Sequence, residues 1–133
     1  MKWLDEYATG VESIDNQHKM LFKMAEDFRT TLGEGLGERV YGDLLDSLDA
    51  YARAHFGYEE GVMEQYQCPA SLVNKQAHAR FVEVLADFRE RFARAGFERT
   101  DAFALMDTLE RWLSNHISRL DVQLKACVPE TGA

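Results

Sequence analysis

The sequence predicts an all-α fold, an up-down-up-down four-helix bundle with an N-terminal arm. Three observations carry this. Apolar residues recur at spacings of three and four over four long stretches, which is the helical period. Only two prolines occur, Pro69 and Pro129. No β-branched alternation runs for long, and the connections are short enough to make consecutive helices antiparallel neighbours. A chain of 133 residues that is 46% hydrophobic forms one domain, residues 1–133, with a single core.

The elements follow in order. Residues 1–12, with Trp3 and Tyr7, form an arm laid along the bundle. The first helix, about 13–32, carries the stripe Ile14, His18, Leu21, Ala25, Phe28, Leu32, and "GEGLG" (Gly33 to Gly37) ends it. That glycine cluster is no phosphate loop, since no strand precedes it and no Gly-Lys-Ser/Thr follows. The second, about 38–66, shows Tyr41, Leu45, Leu48, Ala52, His55, Glu59, Val62, Tyr66. The third, about 69–95, starts with Pro69 in its first turn and ends at Gly96, placements that suit each residue. Its stripe is Ser71, Asn74, His78, Phe81, Leu85, Phe88, Phe92, Ala95. The fourth, about 101–127, is capped by Thr100 or Asp101. It runs through Ala102, Leu105, Leu109, Trp112, His116, Leu120 and Leu124, and Pro129 stops it.

The net charge of −8 argues against nucleic acid or an anionic membrane as a partner, because both select clustered Lys and Arg. No apolar run long enough to span a membrane and no signal peptide is visible. Cys68 and Cys127 form no C-x-x-C pair. They read as reduced thiols of a cytoplasmic protein, with a disulfide the less expected alternative. The acidic residues Glu26, Asp27, Asp43, Asp46 and Glu60 read as a solvated face. Gly57 and Gly61 inside the second helix fit close helix approach, room beside Glu59, or loose surface positions.

The four histidines fall one to each helix, all in the apolar stripe. Glu59 follows His55 by four residues and points into the same core. A buried carboxylate without a partner costs several kcal/mol, so Glu59 needs a cation. One such histidine alone reads as a core residue with a backbone partner. Four of them beside a carboxylate read as a metal site. Imidazole with carboxylate and no thiolate suits iron, manganese or zinc, and several such donors favour a pair of ions. The residues three before each histidine are Asp15, Ala52, Lys75 and Leu113, so the ferritin-like Glu-x-x-His signature is missing. H-E-x-x-H is also absent.

Four pieces, "DNQH" ending at His18, "HFGYEE" from His55 to Glu60, "CP" followed by "NKQAHARF", and "WLSNHISRLD" from Trp112 to Asp121, resemble the hemerythrin family, specifically the single-domain bacteriohemerythrins. The likeness spans about residues 3 to 125. It implies two non-haem Fe ions, bridged by oxo or hydroxo and by carboxylates, that bind O2 reversibly. Carried over, His18 and His55 hold one iron, His78 and His116 the other, and Glu59 and Asp121 bridge them. O2 would bind end-on at the iron with two histidines and leave as hydroperoxide reverts to O2. The pocket lining would be Leu21, Phe56, Phe81, Trp112 and Leu113, an apolar wall that excludes water and anions. Asp121 follows His116 by five residues, roughly 140° around an ideal helix, which predicts a π-type widening there.

One ligand position differs. Four residues before His78 the family carries another histidine, and here stands Asn74. Its amide has three options: to bind weakly, to hydrogen-bond a water, or to point away. The leading expectation is an O2 carrier, store or sensor. One alternative is a redox protein that reduces peroxide or O2, or admits small anions, at the position Asn74 leaves open. The other is a metal-free interaction bundle.

Overall fold

The computed structural model describes residues 3–129. Met1 and Lys2 of the expected arm and the last four residues of the expected domain lie outside them. Four long helices make the bundle: α1 (Glu12–Gly33), α2 (Gly37–Gln65), α3 (Ser71–Ala95) and α4 (Arg99–Arg119), followed by one further turn, α5 (Leu124–Cys127). α1 packs against α2 and α4, and α2 against α3. Each helix turns its apolar stripe inward, and Leu21, Leu32, Leu45, Leu48, Leu85, Leu105, Leu109 and Leu113 are all but completely buried. Before α1, Tyr7 is buried with its ring stacked on Phe22, and Trp3 packs edge-on against both.

The helix ends differ from expectation where local sequence is a poor guide. α3 begins at Ser71, so Pro69 lies before the helix and not in its first turn. It belongs to the turn that closes α2, where Gln67 adopts φ 51° and Cys68 N–H donates to the Met63 carbonyl at 2.9 Å. That bond spans the last helical turn and satisfies a carbonyl the helix leaves open. α4 begins at Arg99 behind Glu98 with no side-chain cap. Thr100 and Asp101 are therefore inside its first turn, where the Asp101 carboxylate complements the helix dipole. Gly96 follows α3 at φ 76° and donates to the Phe92 carbonyl.

Two further expectations are corrected. The fourth helix neither runs to 127 nor widens. It stops at Arg119, and the chain leaves the helix at Leu120 (φ −111°, ψ −53°) for a tighter 3-10 turn, Asp121–Gln123. Breaking the helix brings Asp121 inward as a π-bulge would have done. Pro129 is thus not what ends α4. The cysteines are not reduced thiols: Cys68 and Cys127 form a disulfide, and the argument from free thiols to a cytoplasmic protein falls with them. The bond ties α5 to the α2–α3 turn within a second small core of Val11, Ile14, Met63, Leu124 and Val128. Among the described residues no helix is long and apolar enough to cross a membrane.

The glycines divide by surroundings. A side chain at Gly57 or Gly61 would meet nothing, so neither serves close helix approach. At Gly42 it would press on the Phe92 ring from 3.1 Å, where α2 and α3 come together.

Candidate metal centre

α1 contributes His18, α2 His55 and Glu59, α3 Asn74 and His78, α4 His116, and the 3-10 turn Asp121. All seven are buried, and none is more than 6% exposed. The arrangement has two halves. Glu59 directs Oε2 at His18 Nε2 (3.3 Å) and His55 Nε2 (3.6 Å), and Oε1 at His78 Nε2 (3.3 Å). Asp121 directs Oδ2 at His18 Nε2 (3.1 Å) and Oδ1 at His116 Nε2 (3.1 Å). The Nε2 atoms of His78 and His116 are 3.1 Å apart. Each carboxylate therefore gives one oxygen to each pair of histidines. Donor atoms of His18, His55 and Glu59 form one close group, and those of Glu59, His78, His116 and Asp121 another, each within 4.8 Å.

These atoms are near one another without being well paired. His18 Nε2, Glu59 Oε2 and both Asp121 oxygens are buried and lack a hydrogen bond of proper geometry. Buried polar atoms are normally satisfied, so convergent lone pairs of this kind fit a cation held among them. The same residues shift one another's titration. Burial alone would push the His18 imidazole down, but the carboxylates of Asp121 and Glu59 more than offset this and lift its pKa to about 9. For His55, burial and then the charge of His18 press the pKa down to about 3. Burial likewise opposes, and Glu59 and Glu60 outweigh it, in raising His78. Asp121 is held far below the usual carboxylate range, its burial overcome by His116 and His18.

Asn74 turns inward as a donor. Its Nδ2 gives hydrogen bonds to Glu59 Oε1 (2.7 Å) and Met63 Sδ (3.1 Å), while Oδ1 is buried without a hydrogen-bond partner. The residues expected to line a pocket are brought to the same region but with a bias. Phe56 stacks on His78 (3.9 Å, 7°) and Trp112 on His116 (4.2 Å, 11°), with Phe81 against Trp112. The aromatic wall covers the half that carries Asn74. Leu21 and Leu113 are fully buried in the same apolar cluster as Phe56 and Phe81.

A family model described as the hemerythrin HHE cation binding domain matches residues 9–127. The chain belongs to the hemerythrin family. This family binds O2 at non-haem di-iron centres. A bacteriohemerythrin of Pseudomonas aeruginosa is 33% identical over 119 residues, 90% of this chain and 75% of that protein. Another, of Methylococcus capsulatus, is 32% identical over 126 residues, 92% of each. A crystal structure of wild-type hemerythrin superposes with a TM-score of 0.82 at 29% identity, covering 100% of this chain and 98% of that one.

Two residues of this hemerythrin domain escaped sequence reasoning. Gln17 Oε1 accepts from His55 Nδ1 at 2.6 Å, and Glu60 Oε2 accepts from His78 Nδ1 at 2.8 Å. Each bond places the ring's proton on Nδ1 and frees Nε2 for the centre. Glu60 is therefore no part of a plain solvated face. The signal was available: Gln17 directly precedes His18, and Glu60 directly follows Glu59.

Proposed function

We propose that this hemerythrin domain holds two non-haem iron ions and binds O2 reversibly, as a carrier, store or sensor. The reading rests on one observation, that Glu59 and Asp121 each present one oxygen to each histidine pair. Such carboxylates suit two ions side by side. His18 and His55 would hold one ion and His78 and His116 the other. Bound as a ferrous pair, the irons supply the electrons for O2 capture.

The chain's own residues do the rest. Gln17 and Glu60 fix two imidazoles by their outer nitrogens. The rings of Phe56, Phe81 and Trp112 with Leu21 and Leu113 keep bulk water from the buried carboxylates, which strengthens their hold on a cation. The test is the visible spectrum of iron-loaded, dithionite-reduced protein as air is admitted and withdrawn, with iron counted per chain. Two irons and a charge-transfer band that comes and goes with O2 bear the proposal out. One iron, or a band that decays to a ferric spectrum and does not return, refutes it.

Asn74 favours a second reading. Where the family places an imidazole, this chain has an amide whose donors face Glu59. A ligand position left free in this way suits reduction of peroxide or O2, or entry of small anions. Steady turnover of peroxide with an electron donor would distinguish that reading.

A further inference from the structure

We propose that Glu60 is a positioning residue for the metal position built on His78 and His116, and that Asn74, standing where the family carries an imidazole, makes that position depend on it. This rests on the two-iron reading above.

Asn74 is committed elsewhere. Its Nδ2 donates to Glu59 Oε1, the oxygen that faces His78, and to Met63 Sδ. To ligate through Oδ1 the amide would have to turn over and surrender both bonds. The half therefore has two imidazoles and no third nitrogen donor.

Glu60 acts on one of those two. Among the described residues, His78 is the histidine whose outer nitrogen is held by a carboxylate (Nδ1 to Glu60 Oε2, 2.8 Å). In the other half, His55 has the neutral amide of Gln17, and His18 Nδ1 is without a hydrogen-bond partner. A carboxylate accepting the Nδ1 proton fixes the tautomer and raises electron density on Nε2, so the ring becomes a stronger donor. The structure puts the stronger orienting group on the half where Asn74 stands in place of the family's further imidazole. Phe56, stacked on the His78 ring, fixes its plane, so the bond to Glu60 sets the remaining freedom. Glu60 reaches the ring from a groove of about 300 Å³ shared with Arg53, Gly57 and Lys75. Its side chain stays 25% exposed.

The experiment is anaerobic Co(II) titration of the metal-free protein against a competing chelator, followed by the visible bands of bound Co(II). Wild type, Glu60→Gln, Asn74→His and the double variant are compared. Wild type is expected to bind two Co(II) in separate steps. Glu60→Gln should weaken one step by roughly 10–100-fold, the usual effect of losing such a partner, and leave the other step alone. In the Asn74→His background the same substitution should cost less than about threefold. Glu60→Asp should restore part of the loss, and circular dichroism of each metal-free variant should match wild type. The proposal is overturned if Glu60→Gln weakens both steps alike or neither, or costs as much beside Asn74→His as without it. Binding of a single Co(II) by wild type, or of none, overturns both this proposal and the two-iron reading. Two steps unaffected by Glu60→Gln overturn this proposal alone.

Discussion

Removing the Cys68–Cys127 disulfide gives a loss that can be worked out in advance. The bond joins residues 59 apart in sequence. Closing a loop of that length in the unfolded chain removes about 14 cal/mol/K of entropy, or about 4 kcal/mol at 25 °C. A domain of this size is stable by about 5–15 kcal/mol, so the bond carries a quarter or more of the total. The perturbation is Cys68→Ala with Cys127→Ala, because a serine at the buried Cys68 would add an unpaired hydroxyl. Urea unfolding of the metal-free proteins, read by helical dichroism, should show the variant about 4 kcal/mol less stable. The thermal midpoint should fall by on the order of 10–15 °C. The bond also anchors α5, which directly follows the turn that carries Asp121, so the variant should bind Co(II) less tightly as well. A loss under about 1 kcal/mol, or two free thiols titrated in the unfolded, unreduced wild type, would show that the bond carries no such share of the stability.

Other outcomes follow from the same geometry. In metal-free protein, His18 has a pKa of about 9, above its unfolded value near 6.5, so its stabilisation is complete below pH 6.5 and is lost as pH rises through 9. At about 1.4 kcal/mol per tenfold in protonation, that is on the order of 3 kcal/mol. His55, held near 3, works in the opposite sense and costs stability as pH falls below 6.5. The urea midpoint of metal-free protein should therefore peak near pH 6.5, and a midpoint that climbs from 6.5 to 9 would contradict this. Gly61→Ala, into open space on α2, should add about 1 kcal/mol. Gly42→Ala, against Phe92, should add less or destabilise, and equal gains at the two sites would show the contact is unimportant. Asn74→His should tighten binding of the second metal while costing the metal-free protein about 1–3 kcal/mol, the worth of a hydrogen bond to a charged group. Unchanged unfolding of the metal-free variant would show that the Asn74–Glu59 bond contributes nothing.

What the sequence made legible was periodic, and what it hid was not. The four stripes identify the helices because burial repeats every three to four residues, and His18, His55, His78 and His116 stand out as polar breaks in those stripes. Caps were less readable. Thr100 and Asp101 have the right chemistry for an N-cap, but α4 starts at Arg99, since packing against α1 decides the boundary more than capping does. The Cys68–Cys127 bond depends on where two distant turns meet, and no local spacing encodes that. The inward turn of Asp121 was foreseen as a need, but the helix break at Leu120 that supplies it was not. Gln17 and Glu60 were hidden by their neighbours: each stands beside a buried residue, and its own partly exposed position conceals the bond it makes.

The centre is asymmetric in a way that bears on both proposed chemistries. Its two halves share Glu59 and Asp121 equally, yet one half has an amide where the other needs none. In the metal-free protein that amide is useful, since it gives Glu59 Oε1 a donor the buried carboxylate would otherwise lack. With metal bound, the same donor competes for the oxygen that the ion at His78 and His116 would use. Asn74 thus shifts free energy from the metal-bound state toward the metal-free one, and it does so at one position only. The Phe56 and Trp112 stacks and the Glu60 bond act on that same half, holding His78 and His116 in place whether or not an ion is present. Two imidazoles and an oxygen of each carboxylate face either position, so what distinguishes them is the Asn74 donor and the Glu60 bond, both on the His78 side. On the two-iron reading, the residues around His78 would then set how firmly that position keeps its ion.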